Sequence, residues 1–140
     1  MTSVLRVSDA AAIGLHAAVL LAAEPDRLLA THEIATRLGV SEAHLSKVLQ
    51  RLAKAGLVAA TRGPKGGFGL VVDPRRTSLL QVYEAIEGRL EPSHCLLHAP
   101  ICGGRNCIFG DLLKKLHREV RRTLSTRKLA RLTAVYGGRK

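Results

Sequence analysis

Aromatic residues are nearly absent. Trp does not occur, and two Phe and two Tyr are all that 140 residues hold. A core must then be built from Leu, Val, Ile and Ala, and a protein that grips single strands by stacking bases on rings loses its main tool. Acidic residues are scarce as well, with 11 Asp and Glu against 22 Lys and Arg, for a formal charge of +11. No stretch is long and apolar enough to span a bilayer, and Ala10 to Ala23 has only the length of a buried helix. The N-terminus lacks the basic start and cleavage pattern of a secretory signal, so a cytoplasmic protein with no membrane partner is expected. Its three cysteines then stay reduced and read as ligands, sensors or core residues rather than a disulfide framework. There is no Cys-x-x-Cys pair, no glycine loop opening a helix to cradle a nucleotide, and no nucleophile–base–acid set. These absences argue against an enzyme. Repeats and low-complexity segments are missing too, and the length fits one domain with an appended arm.

What is present is unevenly distributed. Residues 1–91 carry eleven Lys or Arg and nine Asp or Glu, whereas residues 92–140 carry eleven and two. Between Ala43 and Arg76, seven basic residues face Asp73 alone. Both regions suit a polyanion, though charge by itself fits DNA, RNA or an acidic membrane.

The order of elements narrows the choice. Thr31 is expected to cap a helix with Ile34, Ala35 and Leu38 inward, ended by Gly39. Ser41 is expected to cap a second helix in which Leu45, Val48, Leu49 and Leu52 form one apolar face. Ala43, Ser46, Lys47, Gln50 and Lys54 then lie on a small, polar, basic face, as a helix in a DNA major groove requires. Gly56 stops this helix. Leu57 to Thr61 and Phe68 to Val72 read as two short strands joined by Arg62-Gly63-Pro64-Lys65-Gly66-Gly67, a glycine-rich basic tip suited to phosphate or a minor groove. The expected fold is mainly α with a small β-hairpin wing: a winged helix-turn-helix plus a long C-terminal dimerisation helix. Candidate DNA-binding residues are Ser41, Ala43, His44, Ser46, Lys47, Gln50, Arg51, Arg62, Lys65 and Gly66.

Around this unit, Met1 to Val7 is expected to be an arm, and Ser8 to cap a largely buried helix reaching Ala23, with Asp9 favourable to its dipole. His16 within it reads as a core or interface histidine before a ligand. Thr77 or Ser78 starts a further helix with Leu79, Val82, Tyr83 and Ile86 inward, ended by Gly88. The stretch from Leu90 to Asn106 reads as an irregular loop. A long helix is expected from Phe109, with a stripe of Leu113, Leu116, Val120 and Leu124 that wants a partner surface. Ser125-Thr126 is expected to cap a last short helix through Leu132, before a Gly137 to Lys140 tail. The chain thus divides into a DNA-binding domain over 1–88, a cysteine loop over 89–108 and a dimerisation helix and tail over 109–140.

Ile34-Ala35, the run from Leu45 to Val58 with Lys54-Ala55-Gly56-Leu57-Val58, Arg62-Gly63 with Gly66-Gly67-Phe68, and Glu87-Gly88 together resemble one family. The chain resembles the IscR/NsrR-type (Rrf) bacterial transcriptional regulators over essentially its whole length. The resemblance implies a DNA-binding regulator, expected to be a repressor, that pairs as a homodimer through the 109–124 helix and binds double-stranded DNA at a near-palindromic operator. It places Ser46 and Lys47 where bases are read and Arg62 where the wing enters the minor groove. It also implies an iron–sulfur cluster, of the two-iron or four-iron type, on Cys95, Cys102 and Cys107, sensing cluster status, redox state or nitric oxide. The cysteines are separated by six residues and then four, where the IscR-like pattern has five and five. The fourth ligand departs further. The IscR-like histidine position is Gly110, and the NsrR-like acid position is Ala12, with Asp9 one turn earlier. His94, His98 and His117 are other candidates. Alternatives stay open: zinc on three cysteines and a histidine, a thiol switch using Cys102 and Cys107 beside Arg105, or a DNA- or RNA-binding protein with no cofactor.

Overall fold

The structure, a computed structural model, describes residues 7–91, 95–97, 99–103 and 105–137. His94 and His98, most of the expected N-terminal arm and the last three residues lie outside that set.

Helix α1 (Asp9–Ala23) is the axis of the core. Its composition leaves it apolar on nearly every side, and Ala11, Ile13, Ala17, Ala18, Val19, Leu20, Leu21 and Ala22 are all buried. Ser8 caps it, accepting from the Ala11 N–H, and the Ser8 hydroxyl also bonds the Glu87 carboxylate at the far end of α4. Gly14 lets α1 approach its neighbours, since a Cβ there would stand 3.0 Å from Ile86 and 3.4 Å from Val48. His16 is not a core residue: it is exposed within this chain, with Nδ1 2.7 Å from the Ala12 carbonyl, because it falls on a strip of α1 that the core leaves uncovered.

Helices α2 (Thr31–Leu38) and α3 (Glu42–Lys54) follow, joined through Gly39 at φ 70°. Thr31 is not the cap of α2. Ala30 occupies that position without a side-chain bond, and Thr31 is the first helical residue. Ser41 does cap α3, accepting from the His44 N–H at 3.1 Å. Leu45, Leu49 and Leu52 are fully buried and Val48 nearly so.

Strands β1 (Val58–Thr61) and β2 (Gly67–Leu70) pair antiparallel, with Val58 opposite Leu70 and Thr61 opposite Gly67. Each is one residue shorter than expected, and β2 begins one residue earlier. The hairpin is tied to the body by a reciprocal backbone pair, Leu29 N–H to Phe68 O at 3.0 Å and Phe68 N–H to Leu29 O at 2.8 Å. This approach requires glycine at 67, where a Cβ would lie 2.6 Å from the Leu29 carbonyl.

Helix α4 (Leu79–Glu87) opens with a capping box between Ser78 and Gln81 and closes at Gly88. Leu80, outside the expected inward set, is buried beside Val82 and Ile86. Helix α5 (Leu112–Thr126) begins three residues later than expected. Turns through Cys107–Gly110 and Phe109–Leu112 occupy the difference. Ser125 and Thr126 end α5 and bond back to the Arg122 carbonyl instead of capping a new helix. The chain then returns to the core. Leu79 N–H donates to Arg127 O and Leu129 N–H to Thr77 O, both at 3.0 Å, and Leu129 is fully buried in the 3-10 turn Leu129–Arg131. A last turn, α6 (Ala134–Gly137), stands where part of the tail was expected, and Tyr136 donates to the His16 carbonyl. Among the described residues no helix is long and apolar enough to cross a membrane.

Candidate nucleic-acid interface and cysteine pocket

Burying Leu45, Val48, Leu49 and Leu52 fixes which side of α3 meets solvent. Ala43, Lys47, Gln50 and Lys54 are exposed along it, with Ser46 and His44 half-buried at its flanks. The Ser41 hydroxyl is engaged as the helix cap. Arg51 is drawn aside, since its guanidinium donates to the Ile86 carbonyl at 3.3 Å. This bond ties α3 to the C-terminal end of α4, and Arg51 remains an exposed residue.

At the wing, Arg62, Gly63, Pro64 and Lys65 are exposed. Gly66 has a structural reason for lacking a side chain. Its N–H bonds Gly63 O at 2.9 Å, and a Cβ there would meet Thr61 O at 2.1 Å. With the described residues, Lys47, Lys54, Arg62 and Lys65 form no ion pair. The contrast with the opposite side of the same unit is sharp. There Arg27 holds Glu33 at 2.6 Å and Arg37 holds Glu24 at 2.9 Å. The Arg37 hydrogen bond, aided by Arg27 and opposed by partial burial, keeps the Glu24 carboxyl below the usual glutamate range. Cations on the α1–α2 side are neutralised internally, whereas Lys47, Lys54, Arg62 and Lys65 have no such partner among the described residues.

The three cysteines are brought together. Cys95, Cys102 and Cys107 line one open pocket of about 390 Å³, walled by Leu96, Leu97, Ile101 and Ile108 with Asn106 at its edge. The Leu97 N–H donates to the Cys95 sulfur at 3.4 Å. No disulfide joins the three. Among the described residues there is no group of three or more His, Cys, Asp or Glu side chains placed to hold a metal ion. Asp9, in the first turn of α1, and His117, half-buried on α5, do not line this pocket. Gly110 sits at φ 62°, a left-handed backbone that a histidine would adopt only with strain.

Sequence reasoning missed Asn106, the Ser8–Glu87 tie, and a pair between His32 and Glu42. These partners are far apart in the chain or separated by a turn, and no short spacing announces them.

Comparison with known proteins agrees with this architecture. Residues 7–135 match the Rrf2 family, described as an iron-dependent transcriptional regulator. BadM of Rhodopseudomonas palustris, named as an HTH-type transcriptional regulator, is 37% identical over 83 residues, covering 59% of this chain and 53% of BadM. The HTH-type transcriptional regulator IscR of Vibrio cholerae is 32% identical over 88 residues, covering 63% of this chain and 51% of IscR. The chain thus spans about half the length of these relatives. The structure of CymR, the global cysteine regulator of B. subtilis, superposes with a TM-score of 0.79 at 24% identity, over 94% of this chain and 98% of CymR, which establishes the shared fold. With a family match running from Val7 to Val135, this chain belongs to the Rrf2 family of transcriptional regulators.

Proposed function

We propose that this chain is a cytoplasmic repressor that binds a near-palindromic DNA operator as a homodimer. The carrying observation is the solvent face of α3, small and cationic at Ala43, Lys47, Gln50 and Lys54, beside a wing whose Arg62 and Lys65 are unspent on internal pairs. Lys47 donates to guanine O6 or N7, and Arg62 enters the adjacent minor groove. Pairing through α5 is supported by its stripe of Leu113, Leu116, Val120 and Leu124, since no residue of that helix is buried within one chain. Two copies so joined would set the spacing of two recognition helices.

The cysteine pocket is the proposed sensor. Cys95, Cys102 and Cys107 would hold an iron–sulfur cluster, which supplies one-electron chemistry and sensitivity to oxidants and nitric oxide when bound. The Leu97 N–H and the apolar walls of Leu96, Ile101 and Ile108 would steady the thiolates and keep water back. The route from loop to DNA is short. The segment 95–108 leads directly into α5, and the segment after α5 pairs with Thr77 and Leu79 at the start of α4. A change in the loop therefore shifts α5 against the core, and with it the distance between half-sites.

Footprinting on the chain's own upstream region, with protein purified under anaerobic conditions, tests the reading. A short palindromic footprint is expected. Uniform, steeply salt-dependent coating would instead indicate a non-specific binder. Iron, sulfide and zinc analysis with an absorption spectrum tests the pocket. A colourless protein with three titratable thiols after reconstitution would replace the cluster with a thiol switch or no sensor.

A further inference from the structure

The two helices of the reading unit are joined at their N-terminal turns by a pair that the assignments above do not use. His32 is the second residue of α2 and Glu42 the first residue of α3. Nδ1 of His32 lies 2.7 Å from Oε1 of Glu42. Both side chains are exposed, at 83% and 54%, and a pair so open to water contributes little to folding. Its position gives it a different use. In a helix-turn-helix the first helix crosses the DNA backbone while the N-terminal residues of the second meet the base edges. His32 and Glu42 occupy those two turns. Glu42 thus sets a carboxylate where phosphates must come close, an arrangement that repels DNA unless something offsets it.

The geometry of the pair supplies the offset. A carboxylate only accepts, so Nδ1 must carry its proton, and the variable atom is Nε2. With Nε2 bare, the pair carries one negative charge and offers a phosphate oxygen no donor. With Nε2 protonated, the pair is neutral and presents an N–H outward. We propose that His32 is a DNA-phosphate contact whose proton is held by Glu42, so that operator binding takes up a proton at this pair and tightens as pH falls. The inference rests on the DNA-binding reading above.

On α2 itself, Glu33 and Arg37 belong to the cluster with Arg27 and Glu24 at the end of α1. Thr36 donates its hydroxyl to the His32 carbonyl and carries no charge. From α3, Glu42 is the group in contact, and His44 is a second titratable side chain within one turn of it.

The probe is the duplex protected in footprinting, labelled with fluorescein, with affinity read by anisotropy from about pH 6 to about pH 8.5 at fixed ionic strength, across the histidine range. Wild type should tighten several-fold towards low pH. His32→Gln should bind with a nearly flat profile, matching wild type at high pH. Glu42→Gln should bind more tightly than wild type at high pH, with a shallower slope. Thermal unfolding at neutral pH controls for folding, and both variants should melt close to wild type. Parallel curves for wild type and His32→Gln would overturn the proposal, as would a loss in His32→Gln that is equal at every pH, which would mark a mere tie between helices. Absence of any protected duplex would overturn the DNA-binding reading and this one together, whereas parallel curves on a protected duplex overturn this one alone.

Discussion

Two parts of the chain treat the same residue types in opposite ways. In the winged helix, Leu45, Val48, Leu49 and Leu52 recur at helical spacing and are buried to 1% exposure or less. In α5, Leu113, Leu116, Val120 and Leu124 recur at nearly the same spacing, yet none is buried and Leu116 is 43% exposed. The loop before it goes further, with Ile101 and Ile108 at 85% and 88%. The apolar patterns are alike, and what differs is the opposing surface. For α3 this same chain supplies α1 and α4. α5 packs against α4, and its apolar stripe stays open within one copy of the chain. A finished core and an unfinished interface look the same in a list of leucines.

The largest expected effect breaks the comparison on its folded side. Leu49→Ala removes a fully buried side chain between α1 and α3 and should cost about 2–5 kcal/mol in urea unfolding followed by circular dichroism. Ile101→Ser, at 85% exposure, should stay within about 0.5 kcal/mol of wild type. Equal losses would mean that the loop is part of the fold and not an appended site.

The next effect tests the unfinished side. Leu116→Glu places a charge in the proposed α5 seam. It should weaken dimerisation by about 2–4 kcal/mol, read by sedimentation, while the monomer keeps its helical spectrum. A dimer of unchanged affinity would move the seam away from α5.

This division also explains what could be read without coordinates. The α3 face, the Ser8 and Ser41 caps and the Gly39 and Gly88 stops are legible because each is written within four or five residues, in periodicity or capping chemistry, whereas the start of α4 stays open between Thr77 and Ser78 until the capping box settles it. Thr31 misled because the backbone needed only an extended residue before α2, and Ala30 served without a side-chain bond. The start of α5 was placed too early because Phe109 extends the apolar pattern, whereas Gly110 at φ 62° breaks the backbone. The return of Leu129 to the core and the docking of Tyr136 on α1 had no local signature, since both depend on where α5 ends. Of the candidate site, Lys47, Arg62 and the three cysteines could be named in advance. That Arg51 turns to Ile86, and that the cysteines share one pocket, are facts of packing.

A smaller effect separates the two kinds of cation on the winged helix. Lys47→Ala should cost about 1–3 kcal/mol of operator binding, concentrated at one base position, and should leave thermal stability unchanged. Arg62→Ala should weaken binding across sequences and alter the preference for a narrow minor groove. Unchanged affinity in both would remove α3 and the wing as the recognition surface.

The smallest effect concerns the cations already spent inside the protein. Arg37 bonds Glu24 at 2.9 Å, and this bond, more than the nearby Arg27, holds the Glu24 carboxyl below its usual range against the opposing effect of burial. A carboxyl lowered by folding stabilises the native state above the unfolded titration point, and that contribution disappears as pH falls through the folded one. Arg37→Gln should therefore lower the melting temperature at neutral pH, and the gap from wild type should close below about pH 4, where the carboxyl is protonated in both proteins. Arg37 is itself only partly exposed and lies beside Tyr136, whose phenol burial pushes up and Arg37 pulls down. Some loss of packing would persist in acid. The diagnostic quantity is thus the change in the gap with pH and not its size at neutrality. A gap independent of pH would reduce the Arg27–Glu33–Arg37–Glu24 cluster to packing alone, and with it the distinction between cations committed to the fold and those on α3 and the wing that we propose meet DNA.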